Sequence, residues 1–317
     1  MPRLSFFIGK GGVGKTTVSS AYAVRAALAQ PQKSVLLIST DPAHSTADIF
    51  QVRLADAPQR VPLPGRGRLF LWQINAQKQF AAFLKRQREA ILSVIESGTF
   101  FSRREIEPLL DTTLPGMAEV SALLALHDLL ESRQYDEVVI DTAPIGHTIR
   151  LFQLPEHLSR FVNFLEAAAS RDRLLAERFG GSHAIRPNPI IAEWQKMVGS
   201  VRDALSGDSS RLVLVTTSEK FSLNESARAA EALQAAAPEL KISEIVLNRA
   251  VRHAGQCAVC RKNEVATRGA LAFLRRNFAK TKKTRVLIAD DSGDPIMGAR
   301  PLQSFAEHVF AGKKLDL

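Results

Sequence analysis

Nine residues near the start of the chain, Gly9-Lys10-Gly11-Gly12-Val13-Gly14-Lys15-Thr16-Thr17, carry its clearest chemistry. The first eight satisfy the spacing G-x-x-x-x-G-K-[ST]. Glycines here let backbone N–H groups close on phosphate oxygens, and a helix beginning at the loop adds its positive dipole end. Lys15 has the reach to pair with the β- and γ-phosphates, and the Thr16 hydroxyl is suited to ligate Mg²⁺. Lys10 is a further cation, for which a plain phosphate loop has no need.

Three other groups could act with this loop. Asp41 opens the stretch "DPAHS" and is either a turn former ahead of Pro42 or a carboxylate that orients a water for attack on the γ-phosphate. Asp141 closes the apolar run "EVVID", the position of a Mg²⁺ carboxylate at the end of a neighbouring strand. Gly146 and His147 follow in "TAPIGHTIR", read as a switch segment in which glycine permits backbone movement near the γ-phosphate and His147 reports on it. Cys257 and Cys260, the only cysteines, stand as C-x-x-C. They supply two donors of a tetrahedral zinc site and no near third, so they are a redox dithiol, half of a site completed by a second copy of the chain, or two plain thiols.

These groups need a scaffold, and the apolar runs provide one. "RLSFFI" (3–8) leads into the glycine loop, an Ala-rich helical stretch follows it to Pro31, and "SVLLIST" (34–40) comes next, one strand–helix–strand unit of a parallel sheet. Further strand-length runs lie at 68–74, 137–141, 211–217, 243–248 and 285–289. Ligands of an open α/β sheet collect beyond the carboxyl ends of its strands, so Asp41, Asp141, Glu219 and Asn248 all fall where a nucleotide site could assemble. Two long helical stretches, about 77–131 and 155–206, exceed what a crossover needs. They predict a helical subdomain inserted into a single domain spanning 1–317, on the side of the strand ends. The expected fold is α/β, a mostly parallel, doubly wound sheet with that insertion.

Composition narrows the setting. With 317 residues, 45% hydrophobic and 23% charged, the chain can bury a substantial core. No apolar run reaches the ~20 residues of a membrane span and no signal peptide precedes the loop, which predicts a cytosolic protein. The net charge of +10 suits nucleic acid, an anionic membrane surface or a polyanionic nucleotide without choosing among them.

Taken in order, "GKGGVGKTT", "STDPAHS", "YDEVVIDTAPIGHTIRLFQLP", "EKFSLNESAR", "VLNRAV" and "CAVCR" resemble the arsenite-pump and tail-anchored-protein-targeting ATPases, which carry a deviant phosphate loop. The resemblance covers most of residues 1–265. It implies an ATP- and Mg²⁺-dependent ATPase working as a homodimer, with ATP held by Gly9 through Thr17, Glu219 and Asn248, the last against adenine. It implies that Lys10 reaches the partner's nucleotide, that Asp41 activates the hydrolytic water, that Asp141 is the switch aspartate, and that Cys257 and Cys260 share one Zn²⁺ between subunits.

The chain also departs from that pattern. Pump-type members carry two ATPase halves and separated metalloid-binding cysteines, whereas this chain has one phosphate loop and a close pair, which argues against a metalloid ligand. Targeting members hold a transmembrane helix in a Met-rich groove, but only four Met occur here; a groove would be lined by Leu, Phe and Ala. "ADDSGDPIMGARPL" (289–302) replaces a more apolar segment beside the base, implying a looser adenine pocket. Three functions follow: a homodimeric ATPase switch that delivers a hydrophobic client to a membrane receptor, peripheral to the membrane when engaged; the soluble motor of an arsenite or antimonite exporter; and an ATPase that partitions on DNA or a membrane surface.

Overall fold

Seven buried runs form the centre of the sheet because each is apolar on both faces, as a parallel strand covered on both sides must be. In chain order the strands are β1 Arg3–Ile8, β2 Ser34–Ser39, β3 Gln59–Val61, β4 Arg68–Gln73, β5 Glu137–Asp141, β6 Ser210–Thr216, β7 Ile242–Ala250, β8 Arg285–Asp290 and β9 Leu315–Asp316. The computed structural model describes residues 2–41, 45–98, 103–104, 117–156, 159–160, 189–207, 210–278, 284–311 and 315–316. Among these, one nine-stranded sheet runs in the order β3-β4-β2-β5-β1-β6-β7-β8-β9. The seven inner strands are parallel, and only the edges β3 and β9 are antiparallel. The fold is the expected α/β class with a mostly parallel sheet.

β1 sits between β5 and β6. The chain builds outward to one side through β2 and β4 and to the other through β6, β7 and β8, so the loop after β1 lies where the strand order reverses, the usual ligand crevice of such sheets. The helices are α1 Lys15–Ala29, α2 Ser45–Phe50, α3 Ala76–Gly98, α4 Met117–Ser132, α5 Pro189–Ser206, α6 Lys220–Ala236, α7 Ala258–Phe278 and α8 Ala299–Ala311, with a further helical stretch at 145–156. α1 and α8 pack on one sheet face, where Phe7, Leu37, Val139, Val213 and Leu287 meet Val18, Val24, Leu302 and Val309. The alternate residues Leu4, Phe6 and Ile8 are equally buried.

The chain divides into two compact units. The sheet unit comprises Met1–Asn75, Leu129–Ile149 and Ala204–Leu317, and the other comprises Ala76–Asp128 and Arg150–Asp203. In the second, the described elements are helical. Leu92, Leu123 and Val201 are fully buried, the Ser121 hydroxyl donates to the Ala76 carbonyl at 2.7 Å, and His127 Nδ1 lies 3.1 Å from Ser200 Oγ. Residues 99–102, 105–116 and 161–188, which carry much of the expected client-binding stretch, lie outside the described residues. Among the described residues, no helix is long and apolar enough to cross a membrane.

At the amino-terminal end of the strands, α1 is tied down by a polar cluster. The Tyr22 hydroxyl donates to Glu137 Oε1 at 2.7 Å, the Arg211 guanidinium stands 4.4 Å over the Tyr22 ring, and Arg211 Nε donates to Ser5 Oγ at 2.9 Å. Burial, chiefly, pushes the Tyr22 phenol up to about 12, so it is a donor throughout the physiological range. Tyr22→Phe keeps the ring contacts with Phe7 and Phe310 and deletes only the donor to a charged acceptor. It should cost about 1–3 kcal/mol in a urea titration; an unchanged midpoint would show that Glu137 does not depend on Tyr22.

Candidate functional site

The loop between β1 and α1 is built around close approaches. A Cβ on Gly9 would stand 2.3 Å from the Val215 carbonyl oxygen, and one on Gly14 would stand 2.3 Å from Asn248 Nδ2. Gly14 also caps α1 in a left-handed conformation, φ 90° and ψ 27°, so two independent constraints demand glycine there. Beyond Gly11 and Gly12, in contrast, a Cβ would meet nothing within 4 Å. Two glycines therefore fit the protein and two keep open space in front of the loop.

The loop's cation lies on the inside. Lys15 is buried and its Nζ donates to the Lys10 carbonyl at 3.1 Å. Burial lowers its pKa, opposed by Asp141, Asp41 and Glu225 in that order. Asp141 has no exposed surface, and neither of its oxygens receives a well-aligned hydrogen bond. Its carboxyl is pushed up to about 7, first by burial and also by Asp41, while the nearby Thr16 hydroxyl, Lys15 and the Ser19 hydroxyl pull it down. A fully buried carboxylate without a well-aligned donor, beside a Thr hydroxyl, is a donor set a Mg²⁺ ion would complete, and an open glycine loop with an inward lysine fits a triphosphate.

Each residue expected from the sequence has a definite place. Asp41 follows β2, half-buried, with its carbonyl held by Gln73 Nε2 at 2.8 Å; Pro42 to His44 lie outside the described residues. Asn248 is buried near the end of β7 and donates through Nδ2 to the Val13 carbonyl at 2.8 Å. Thr17, Gly14 and Asn248 line one cavity of about 610 Å³ with Asp290 to Met297. Glu219 is exposed at the N-cap of α6 and its side chain makes no cap hydrogen bond.

Gly146 and His147, read as part of a switch segment, stand in the first turn of the helical stretch 145–156, with the His147 N–H bonded to the Pro144 carbonyl at 2.9 Å.

Two residues escaped sequence reading. Glu225, a turn and a half into α6, faces Lys10 Nζ at 4.0 Å, both side chains being 36% exposed. Its only cue is its place six residues after Glu219. Arg249 lines the cavity, and nothing in "VLNRAV" marks it apart from its neighbour Asn248.

Cys257 and Cys260 are free thiols at the start of α7. The Cys260 N–H points at Cys257 Sγ at 3.4 Å. This hydrogen bond, with contributions from the Cys260 side chain and the Val259 N–H, lowers the Cys257 pKa. The Cys260 thiol is raised by its contact with Cys257. Among the described residues, no group of three or more His, Cys, Asp and Glu is placed to hold a metal within one chain.

The sequence matches the profile of one family, described as anion-transporting ATPase, over residues 2–311. The chain belongs to the anion-transporting ATPase family. It is an ATPase, and ATP with Mg²⁺ is the pair that membership implies. Relatives of this ATPase include one named ATPase GET3 from Lachancea thermotolerans, 31% identical over 252 residues, covering 77% of this chain and 71% of the relative. An arsenical pump-driving ATPase from Escherichia coli is 32% identical over 250 residues, covering 78% of this chain and 39% of the pump protein. An ATPase ASNA1 homolog from Cryptosporidium parvum is 38% identical over 155 residues, covering 49% of this chain and 38% of that protein.

The rim of this ATPase's cavity carries a forked surface ion pair. Arg252 forks onto both oxygens of Asp290, and His308 Nε2 meets Asp290 Oδ2 at 2.8 Å. The Arg252 hydrogen bonds, chiefly, hold the Asp290 carboxyl below its ordinary range. A depressed carboxylate stabilises above its unfolded pKa, near 3.9, and that contribution is lost as pH falls through the folded value. The stability gap between wild type and Asp290→Asn, read from urea midpoints, should therefore be full at about pH 6 and shrink below about pH 4. A gap that widens on acidification would exclude this pairing.

Proposed function

We propose that this ATPase is a cytosolic homodimeric switch that couples Mg-ATP binding and hydrolysis to the capture and delivery of a hydrophobic client, such as the membrane segment of a tail-anchored protein, at a membrane receptor. The observation that carries the reading is the divergence of the loop's two lysines. Lys15 is buried and turned inward, whereas the Lys10 side chain leaves the loop for the exposed rim beside Glu225, where a second subunit's nucleotide could meet it.

The close CxxC pair, in place of separated cysteines, supports the targeting type over the exporter motor, and it supports assembly too. Thiols at a helix start, one with a lowered pKa, are fit metal donors, and two per chain need a second copy to complete a four-donor zinc site. We assign one Zn²⁺ per dimer to Cys257 and Cys260.

In hydrolysis, the N–H groups of Gly9 to Thr17 would hold the phosphates and Lys15 the β- and γ-oxygens. Thr16 and, through water, Asp141 would hold Mg²⁺, which offsets charge on those oxygens. Asp41 orients the attacking water in line with the γ-phosphate, and the partner subunit's equivalent of the exposed lysine offsets charge developing on it. Asn248 and Glu219 belong on the nucleoside side, and the helix bearing Gly146 and His147 is the element that would respond to loss of the γ-phosphate.

The test combines chemistry and client. Asp41→Asn should bind ATP as wild type and turn over at least ~100-fold more slowly, and Lys10→Ala should lose hydrolysis while keeping affinity. The ATP-loaded Asp41→Asn dimer should retain a transmembrane peptide. Normal hydrolysis with no peptide capture in any nucleotide state would overturn the client assignment. Stimulation by arsenite or antimonite would move it to an exporter, and salt-sensitive DNA retention to a partitioning ATPase. Metal analysis should find one zinc per two chains, lost in Cys257→Ser together with the dimer.

A further inference from the structure

The end of β7 is irregular. It pairs with β8 in register through Leu247 and Ile288, then slips before Ala250 meets Asp290. Asn248 and Arg249 occupy the slipped segment. Asn248 turns inward and spends its amide on the Val13 carbonyl. Arg249 adopts a φ of 55°, a left-handed conformation that glycine or asparagine takes with far less strain.

The Arg249 side chain is exposed and lines the cavity of about 610 Å³ that opens from Gly14 and Thr17. It is the only cation among the cavity's described lining residues. Ile49, Ile296 and Phe305 give that space an apolar wall, and Asp48, Asp290, Asp291 and Asp294 give it carboxylates. The guanidinium is not consumed by them: the fork to Asp290 comes from Arg252, and among the described residues Arg249 forms no ion pair. A strained backbone that presents an unpaired, planar cation to a cavity with an apolar wall, next to a phosphate loop, matches the demands of a flat heteroaromatic ring attached to phosphates.

We propose that Arg249 is the base-stacking residue of the nucleotide site, its guanidinium plane covering one face of a purine held in the cavity between β7 and the 290–297 segment. The inference rests on the reading of Gly9 to Thr17 as the triphosphate cradle. It assigns Arg249 to the nucleoside and not to the phosphates, and a stacking contact of this kind accepts adenine and guanine alike.

Two probes separate those roles: Mg-ATP and inorganic tripolyphosphate with Mg²⁺, each titrated calorimetrically into the full-length protein. Arg249→Asn removes the plane and suits the left-handed backbone. It should weaken ATP binding ~10-fold, the order of a desolvated cation–π contact, and leave tripolyphosphate binding within about twofold. The free variant should melt about 2 °C higher, because the strain is relieved. Arg249→Lys keeps the charge without the plane and should lose most of the same ATP affinity. Unchanged ATP affinity in Arg249→Asn, equal losses for ATP and tripolyphosphate, or full rescue by lysine would each overturn the proposal. A wild-type protein that bound tripolyphosphate but no better with a base attached would overturn it while leaving the phosphate cradle standing. One that bound neither probe would overturn the cradle and the stacking role together.

Discussion

The structure turns on a buried charge cluster at the carboxyl end of the central strands. Asp141 is completely enclosed and Lys15 nearly so, and neither is fully matched. Lys15 donates to a backbone carbonyl of its own loop, and the carboxylate of Asp141 lacks well-aligned donors. Burying charges in this way is costly unless something completes their coordination. The sheet order places the cluster at the switch point between β5, β1 and β6, where the backbone is held on both sides. That rigidity keeps the cluster from relaxing towards solvent.

The balance of signs around the loop says what completes it. Asp41, Asp141 and Glu225 all act on Lys15, and Glu225 also faces Lys10, so three carboxylates meet two lysines at a place built for a polyanion. A divalent cation arriving with a triphosphate would offset the charge of Asp141, whose buried carboxyl receives no well-aligned hydrogen bond. The raised pKa of Asp141 expresses the same need, since without a cation the carboxyl tends towards its neutral form. Glu225, on the rim, offers Lys10 an interaction within its own chain.

The parallel strands were legible because their signal is redundant. Each is a continuous apolar run buried on both faces, and "EVVID" coincides with β5 to the residue. β3 and β9 were not legible: they are short antiparallel edges, and "QRV" has no pattern to read. Of the candidate site, the residues read from position at a strand end, Asp41, Asp141 and Asn248, do lie at the ends of β2, β5 and β7. Gly146 stands in a helical turn that its own residue type does not announce. Glu225 escaped because its partner is far away in sequence, and Arg249 because a positive φ is a property of the slipped ladder and not of the residue type.

That slip joins two halves of the site that the sequence presents separately. Because Asn248 bonds the Val13 carbonyl and also occupies the space a Gly14 side chain would need, the carboxyl end of β7 and the phosphate loop are held in one geometry. The same two-residue irregularity turns the next side chain, Arg249, into the cavity beyond. A shift of the loop must therefore be felt at Asn248, and through it at the wall of the cavity. Regular pairing to the end of β7 would lose this connection, since residues of an uninterrupted ladder alternate faces and present one side chain, not two in succession, to the crevice. The irregular strand end thus links the glycine loop to the cavity beyond it, using two residues and one hydrogen bond.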